Sequence, residues 1–170
     1  MVNISIVIPA YNEQFSIAKT IQEIKETLSK TKHKYEIIVV DDGSKDNTSE
    51  ILKSIKNITI INHPYNKGYG ASIKTGIKKS KYDWILITDS DGTYPVKDIP
   101  NLVSYTDNYD MVIGARKKDN IPILRKPAKA FLSLLANFLT NKKIPDLNSG
   151  FRIFKKDLAL RFFNIFPSGF

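Results

Sequence analysis

Short apolar runs alternate along the chain with segments in which apolar residues recur every three or four positions. The spacing of Ile17, Ile21, Ile24 and Leu28 predicts an amphipathic helix. The apolar runs predict strands at Ile4–Ile8, Tyr35–Val40, Ile58–Asn62, Trp84–Thr88, Met111–Gly114 and Phe151–Phe154. Further helices are predicted around Ile51–Ile55, Ile73–Ile77, Asp98–Tyr105, Lys129–Leu139 and Asp157–Phe163.

This alternation predicts the fold class. Strands that are apolar on both sides are typical of a parallel sheet whose two faces are both covered by helices. With right-handed crossovers, the result is an α/β fold with a Rossmann-like, doubly wound, mostly parallel sheet. The length of 170 residues suits a single domain with one sizeable core.

Polar residues directly follow four of the predicted strands. They are Tyr11, Asn12 and Glu13 after the first strand, Asp41 and Asp42 after the second, Asp89 and Asp91 after the fourth, and Arg116 after the fifth. In open parallel sheets, ligands bind beyond the carboxyl ends of the strands. The pattern therefore predicts that these residues meet in one active site.

Asp89-Ser90-Asp91 carries the clearest chemistry among these motifs. Two carboxylates this close together are costly unless a cation joins them, and carboxylate oxygens suit Mg²⁺ or Mn²⁺ bound beside a substrate phosphate. A polar turn before the next helix is the alternative interpretation, because the Asp-x-Asp pattern alone is common.

The remaining motifs carry weaker signals. A carboxylate of Asp41-Asp42-Gly43-Ser44 is suited to accept hydrogen bonds from a nucleobase or ribose, or the motif is a turn with a helix cap. Gly68 and Gly70 allow a tight bend before a helix, but Ile73 occupies the third position of the dinucleotide-binding glycine pattern. His33 and His63 lack metal-ligand spacing and are interpreted as surface or packing residues.

Positive charge is concentrated in the last third of the chain. Residues 1–115 contain 14 Lys/Arg and 14 Asp/Glu, whereas residues 116–170 contain 12 and 3, which accounts for the whole net charge of +9. Such asymmetry indicates either a surface that faces anions or a solvated basic face. Aromatic platforms are not interleaved with the basic stretch, so a nucleic-acid partner is not expected.

The composition also bears on compartment. The chain contains no cysteine, which excludes disulfides and cysteine metal sites and fits a reducing compartment. Its N-terminus lacks the pattern of a signal peptide, and the longest apolar stretch, around Phe131–Leu139, is far shorter than a membrane span. We therefore expect a cytoplasmic protein.

Five motifs in order and spacing carry a resemblance to a known family. They are Pro9-Ala10-Tyr11-Asn12-Glu13, Asp41-Asp42-Gly43-Ser44, Asn66-x-Gly68, Asp89-Ser90-Asp91-Gly92 and Ser149-Gly150-Phe151-Arg152. Together they resemble family-2 glycosyltransferases of the A-type fold, in particular the branch that uses dolichyl or undecaprenyl phosphate. The resemblance covers nearly the whole chain.

The resemblance implies a role for individual residues. The nucleotide-sugar positions are Pro9, Tyr11, Glu13, Asp41, Lys67, Asp89 and Ser90. Asp89 and Asp91 match the ligands of a Mg²⁺ or Mn²⁺ ion, and Asp91 and Arg116 match catalytic positions. The acceptor-phosphate positions are Arg116, Arg125, Ser149 and Arg152.

The implied activity is inverting, metal-dependent transfer of a hexose from a nucleotide sugar to a polyprenyl or dolichyl phosphate. Thr93-Tyr94-Pro95 stands where the mannosyl branch has a Gln trailed by His-Pro-Pro, which favours UDP-glucose or a similar UDP-sugar over GDP-mannose. The alternative is a family-2 transferase with a saccharide hydroxyl acceptor.

The same resemblance divides the chain into two functional parts. Residues 1–115 form the nucleotide-sugar and metal-binding half, and residues 116–170 form the basic acceptor side of a single catalytic domain. We expect that domain to be truncated at its C-terminus, because relatives continue into further helices. The apolar helix near Lys129–Leu139 either rests in the membrane interface, making the protein peripheral at the membrane, or is an ordinary core helix.

Overall fold

The computed structural model describes residues 2–115, 134, 137–139, 141, 146, 149–165 and 167. The strands are β1 (Asn3–Ala10), β2 (Lys34–Asp41), β3 (Thr59–Asn62), β4 (Trp84–Ile87), β5 (Met111–Ile113) and β6 (Arg152–Lys155). The helices are α1 (Ile17–Ser29), α2 (Thr48–Ser54), α3 (Tyr69–Lys79), α4 (Ile99–Ser104), which a short 3-10 turn at Val96–Asp98 precedes, and α5 (Lys156–Arg161). Most of the helix predicted near Lys129–Leu139 lies outside the described residues.

The six strands form one sheet in the order β3-β2-β1-β4-β6-β5. Strands β3, β2, β1 and β4 are parallel, whereas β6 pairs antiparallel with both β4 and β5. The prediction of a mostly parallel sheet is confirmed. The antiparallel insertion of β6 was not predicted, because a strand's hydrophobic pattern does not record its direction.

Helices cover both faces of the sheet, as predicted. Alternate residues of β1 face opposite sides: Ile6 packs with the buried stripe of α1 and with α2 and α4, whereas Val7 packs with α3 and α5. The stripe on α1 follows the helical period, since Ile17, Ile21 and Leu28 are all buried. The two clusters fix the sheet between its helical layers.

The strand register brings the ends of β1, β2 and β3 to one edge of the sheet. Ala10 is paired with Asp41, and Asp41 with Asn62, so the last residues of three parallel strands lie side by side. The hydrogen bonding continues one residue further, where the Asp42 N–H donates to the Ala10 carbonyl oxygen at 2.8 Å. The segments that follow these strands therefore start from the same edge.

Candidate active site

A cleft of about 600 Å³ opens at the carboxyl edge of the parallel strands. Its walls come from the segments that follow β1, β2 and β4, from the start of α3, and from the segment before β6. The residues that line it are Pro9, Ala10, Tyr11, Glu13, Asp42, Asn66, Gly68, Tyr69, Ser72, Asp89, Ser90, Asp91, Tyr94, Ser149, Gly150 and Arg152. Of the strand-end residues predicted to meet, Tyr11, Glu13, Asp42, Asp89 and Asp91 line this cleft, whereas Arg116 lies outside the described residues.

A second cleft of about 460 Å³ adjoins the first and shares Tyr11 and Asn66 with it. Asp41 lines this second cleft. Its side chain is almost fully buried: Oδ1 accepts the Ser44 N–H at 3.0 Å, and Oδ2 accepts the Ser49 hydroxyl. The half-exposed ring of Tyr11 stands at the boundary between the two clefts.

Reciprocal hydrogen bonds join the loop after β1 to the loop after β2. The Asn12 N–H donates to the Ser44 hydroxyl oxygen at 3.0 Å, and the Lys45 N–H donates back to Asn12 Oδ1 at 2.8 Å. One residue on, the Glu13 N–H donates to Thr48 Oγ1 at 2.8 Å. These bonds hold the backbone that follows Tyr11, whose ring lies at the boundary between the two clefts.

The Asp89 carboxylate is held from two sides. The Tyr69 hydroxyl donates to Asp89 Oδ1 at 3.0 Å from the first turn of α3. On the other side, a Cβ atom added to Gly150 would lie 2.6 Å from Asp89 Oδ2, so any larger residue would displace the carboxylate from this position. Burial first, and then the Asp89 charge, raise the pKa of Tyr69 well above its ordinary value, which keeps its hydroxyl protonated as a donor.

Asp91 is more exposed than Asp89 and lies two residues further along the same wall. Its Oδ1 accepts the Thr93 N–H at 2.8 Å, which leaves Oδ2 without a hydrogen bond from within this turn. Among the described residues no group of three or more His, Cys, Asp or Glu side chains is placed to hold a metal. Two carboxylates in one cleft fit Mg²⁺, which proteins commonly hold through one or two carboxylates while substrate phosphates and water complete its shell.

The segment before β6 forms another part of the cleft wall. Its Gly150 N–H donates to the Tyr94 hydroxyl oxygen at 2.6 Å, and the Tyr94 ring stacks on Phe151 with centroids 5.7 Å apart. The fully buried Ser149 hydroxyl donates to the Gly114 carbonyl oxygen at 2.6 Å. That hydroxyl shapes the segment, and Ser149 lines the cleft; its role at an acceptor phosphate stays a prediction.

Arg152 lies in the wall of the cleft with its guanidinium folded towards the preceding turn. Its Nε–H donates to the Ser149 carbonyl oxygen at 2.9 Å, and an Nη2–H donates to the same oxygen. Because both N–H groups bind the same carbonyl oxygen, the plane of the Arg152 guanidinium is fixed. The remaining N–H groups are the ones suited to an anion in the cleft.

Sequence reasoning missed a buried hydrogen-bond network in the cleft walls, where Asp42 lines the larger cleft and His63 the smaller one. His63 was interpreted as a surface or packing residue, but it is only 8% exposed and its Nδ1 lies 2.6 Å from Asp42 Oδ1. Asp42 Oδ1 and Oδ2 also accept the backbone N–H groups of Lys67 and Gly68 at 2.9 and 2.8 Å. Burial raises the pKa of Asp42, but the hydrogen bonds from His63, Lys67 and Gly68 outweigh it and hold the pKa below its ordinary value.

The predicted site residues fall into three groups. The larger cleft is lined by Pro9, Tyr11, Glu13, Asp89, Ser90, Asp91, Ser149 and Arg152, and the smaller one by Asp41. Lys67 lines neither cleft; its ammonium nitrogen lies 5.6 Å from the centroid of the Tyr65 ring. The predictions for Arg116 and Arg125 fall outside the described residues.

The sequence profile described as glycosyl transferase family 2 matches residues 5–163. The chain therefore belongs to this family. A dolichyl-phosphate beta-glucosyltransferase of Trichomonas vaginalis is 33% identical over 176 residues, which cover 92% of this chain and 54% of that protein. An undecaprenyl-phosphate 4-deoxy-4-formamido-L-arabinose transferase of Yersinia enterocolitica is 33% identical over 162 residues, 92% of this chain and 50% of that protein.

Solved structures share the fold at lower identity. Glucosyl-3-phosphoglycerate synthase from Mycobacterium tuberculosis, in complex with Mn²⁺, UDP-glucose and phosphoglyceric acid, matches with a TM-score of 0.73 and 21% identity. The match covers 93% of this chain and 58% of that one. A UDP-N-acetylglucosamine–dolichyl-phosphate N-acetylglucosaminyltransferase of Methanococcus voltae is 31% identical, and the match covers 69% of that protein. The chain spans about half the length of the Trichomonas and Yersinia relatives.

Proposed function

We propose that this chain carries the donor site of an inverting, metal-dependent glycosyltransferase that moves a hexose from a UDP-sugar to a polyprenyl phosphate. The observation that carries the proposal is the shared cleft: Tyr11, Asp89 and Asp91 follow two different strands and line the same cleft. The family membership and the names of the relatives support the reaction class and the acceptor.

The smaller cleft suits the nucleoside. Asp41 lines this cleft, and hydrogen bonds from Ser44 and Ser49 hold its carboxylate in place. A carboxylate in this position accepts N–H or O–H donors from a nucleobase or ribose. The Tyr11 ring at the boundary offers a flat apolar surface for a base. The diphosphate would then extend from this cleft into the larger one, towards Asp89 and Asp91.

The two aspartates are the residues that would hold Mg²⁺ or Mn²⁺. When bound, the ion would neutralise charge that builds up on the nucleoside diphosphate leaving group. The protein contributes the fixed orientation of Asp89, set by the Tyr69 hydroxyl and by the absence of a side chain at Gly150. Such fixed orientation is what makes a two-carboxylate site effective.

The acceptor side is supported by charge and by chemistry. Arg152 lines the same cleft, and the positive excess of the chain lies in residues 116–170. A phosphate monoester has a second pKa of about 6, so it is already largely dianionic at neutral pH and does not need a strong protein base. Positioning by Arg152 and the predicted Arg116 and Arg125 would then account for much of the rate.

We further propose that the acceptor side faces a membrane surface from the cytoplasm. Among the described residues, Leu134, Phe138 and Leu139 are 70%, 81% and 72% exposed, and no described helix is long and apolar enough to cross a bilayer. Replacing Phe138 by Asp should reduce binding to vesicles that contain anionic lipid. The matched control is Tyr109→Asp, which alters an exposed ring before β5 and should bind like the unaltered protein; equal loss in both variants would contradict this orientation.

A transfer assay tests the proposed reaction. The chain is incubated with Mn²⁺, undecaprenyl phosphate in detergent, and radiolabelled UDP-glucose, UDP-N-acetylglucosamine or GDP-mannose. We expect a UDP-sugar to give glycosylated undecaprenyl phosphate with inverted anomeric configuration. Asp91→Asn should abolish this transfer. The control Asp107→Asn removes an exposed carboxylate outside both clefts and should leave transfer unchanged. Transfer to a saccharide hydroxyl, with none to undecaprenyl phosphate, would contradict the proposed acceptor.

A further inference from the structure

Asn62, the last residue of β3, lies beside Asp41 in the wall of the smaller cleft. The two residues are register partners in neighbouring parallel strands, so their side chains leave the same face of the sheet. The preceding residues of that face, Val39 and Ile60, both pack in the core cluster that contains the buried residues of α1 and α2. Asp41 and Asn62 therefore present a carboxylate and an amide side by side to one cleft.

The backbone around Asn62 is fixed at this edge of the sheet. Directly after it, the His63 N–H donates to the Asp41 carbonyl oxygen at 2.8 Å. Further along, the backbone of Tyr65 packs on Gly43, where φ is +74° and an added Cβ atom would lie 2.7 Å from the Tyr65 carbonyl carbon. Asn62 thus extends from backbone that is held against the loop after β2, as a side chain that recognises a ligand requires.

The two side chains differ in how much of their hydrogen-bonding capacity the protein uses. The Asp41 carboxylate already accepts the Ser44 N–H and the Ser49 hydroxyl, which hold it in place as an acceptor. The exposed Asn62 amide makes no hydrogen bond to any of the described residues, so its NH₂ group and carbonyl oxygen are available to a ligand. The pair therefore offers a fixed acceptor beside a group that can donate.

This pair matches one edge of a nucleobase. Uracil carries a ring N–H beside a carbonyl oxygen, so the N–H can donate to Asp41 while the carbonyl oxygen accepts from the Asn62 NH₂ group. Guanine has the same edge. Cytosine and adenine, in the same orientation, place an unprotonated ring nitrogen against the carboxylate and an amino group against the amide donor. A site built for an N–H donor rejects analogues that lack it, because its own polar groups are then left unpaired.

We infer that Asn62 is a specificity-determining residue: together with Asp41 it selects a nucleobase with a ring N–H beside a carbonyl group over one with a ring nitrogen beside an amino group. This inference rests on the function proposed above and adds the contact that distinguishes a uridine donor from a cytidine donor. Asn62 touches the base, whereas the candidate metal ligands Asp89 and Asp91 line the larger cleft. Its loss should therefore change base preference rather than metal dependence.

Calorimetric titration with UDP, GDP, CDP and ADP in the presence of Mn²⁺ tests this role, with thermal unfolding used to check that each variant is folded. The unaltered chain should bind UDP at least about tenfold more tightly than CDP or ADP. Asn62→Ala should raise the Kd for UDP about tenfold, equivalent to about 1.4 kcal/mol, with little change in the Kd for CDP. Asn62→Asp keeps the shape of the side chain but replaces the donor by an acceptor, so it should also lose the preference for UDP over CDP.

The matched control is Asn101→Asp, which makes the same change of charge at an exposed residue of α4 that lines neither cleft, and it should retain the preference. Unaltered preference in both Asn62 variants, or CDP binding as tight as UDP binding by the unaltered chain, would overturn this inference alone. Tighter binding of GDP than of UDP, lost in the Asn62 variants, would support the contact and contradict the proposed UDP donor. Absence of binding of all four nucleotides would overturn both the inference and the proposed function.

Discussion

Replacing Gly150 by alanine should weaken binding of a divalent ion at the candidate metal site, because the added methyl group meets the Asp89 carboxylate. The added Cβ would lie 2.6 and 2.7 Å from the two carboxylate oxygens of Asp89 and 2.9 Å from its Cγ. Real Cβ contacts are longer, so the carboxylate must rotate away from Gly150 or the segment before β6 must shift. Gly150 does not have a positive φ, so the substitution adds no backbone strain that would obscure this contact.

The expected magnitudes follow from the nature of the contact. The contacted atoms are the far end of the Asp89 side chain, which can rotate away, so the stability cost should stay below the ~1–3 kcal/mol of overpacking in a core and the loss in Tm should be small. Changes to groups that orient a metal ligand typically weaken metal affinity by about 10- to 100-fold. We therefore expect Gly150→Ala to weaken Mn²⁺-dependent UDP binding by that factor while the protein stays folded at 25 °C.

Calorimetric titration with UDP, with and without Mn²⁺, measures this effect. The matched control is Gly76→Ala, whose Cβ would lie 2.3 Å from a methyl group of Val7 between α3 and β1, away from both clefts. That variant should also change stability but keep Mn²⁺-dependent affinity. Unaltered affinity in Gly150→Ala, or an equal loss in Gly76→Ala, would refute the reasoning.

The remaining predictions concern single contacts around the cleft. Tyr69→Phe removes the hydroxyl that donates to Asp89 Oδ1, so Mn²⁺-dependent UDP affinity should fall about 10-fold or more in titration calorimetry while metal-free affinity does not change; a parallel loss without metal would contradict this. The pKa of Asp42 is held below its ordinary value, so its ionised form adds stability that is present above about pH 4 and is lost as pH falls through the folded-state pKa. Urea midpoints measured from pH 7 to pH 3 should therefore fall less in Asp42→Asn than in the unaltered protein; parallel curves would exclude this linkage. Lys67→Ala should bind UDP normally because the Lys67 side chain lines neither cleft; a tenfold rise in Kd would show that its ammonium reaches the nucleotide.

The parallel part of the fold was predictable because each of its strands is a compact apolar run and each helix has a clear apolar stripe. Ile17, Ile21 and Ile24 are buried as their spacing requires. The strand-end rule also predicted that Tyr11, Asp89 and Asp91 would share a cleft, because it depends only on the sheet being parallel. Their proposed roles in binding remain predictions.

The rest depends on contacts between distant segments. The direction of β6 is set by its pairing with β4 and β5, which its four residues do not encode. The bonds from Tyr69 to Asp89 and from His63 to Asp42 span 20 and 21 residues, and no local spacing signals either of them. The position of His63 directly after β3 was the sign in the sequence that places it at the same edge of the sheet as Asp42.

Electron paramagnetic resonance of Mn²⁺ tests the central claim most directly, because the signal of free Mn²⁺ reports the ion itself. At a fixed concentration of UDP, adding the chain should lower the free Mn²⁺ signal beyond what UDP alone removes. Asp89→Asn and Asp91→Asn should each abolish that additional decrease, whereas Asp107→Asn should retain it. If the chain removes no Mn²⁺ beyond UDP alone, or if both cleft variants remove as much as the unaltered protein, the two aspartates do not join a divalent ion to the nucleotide.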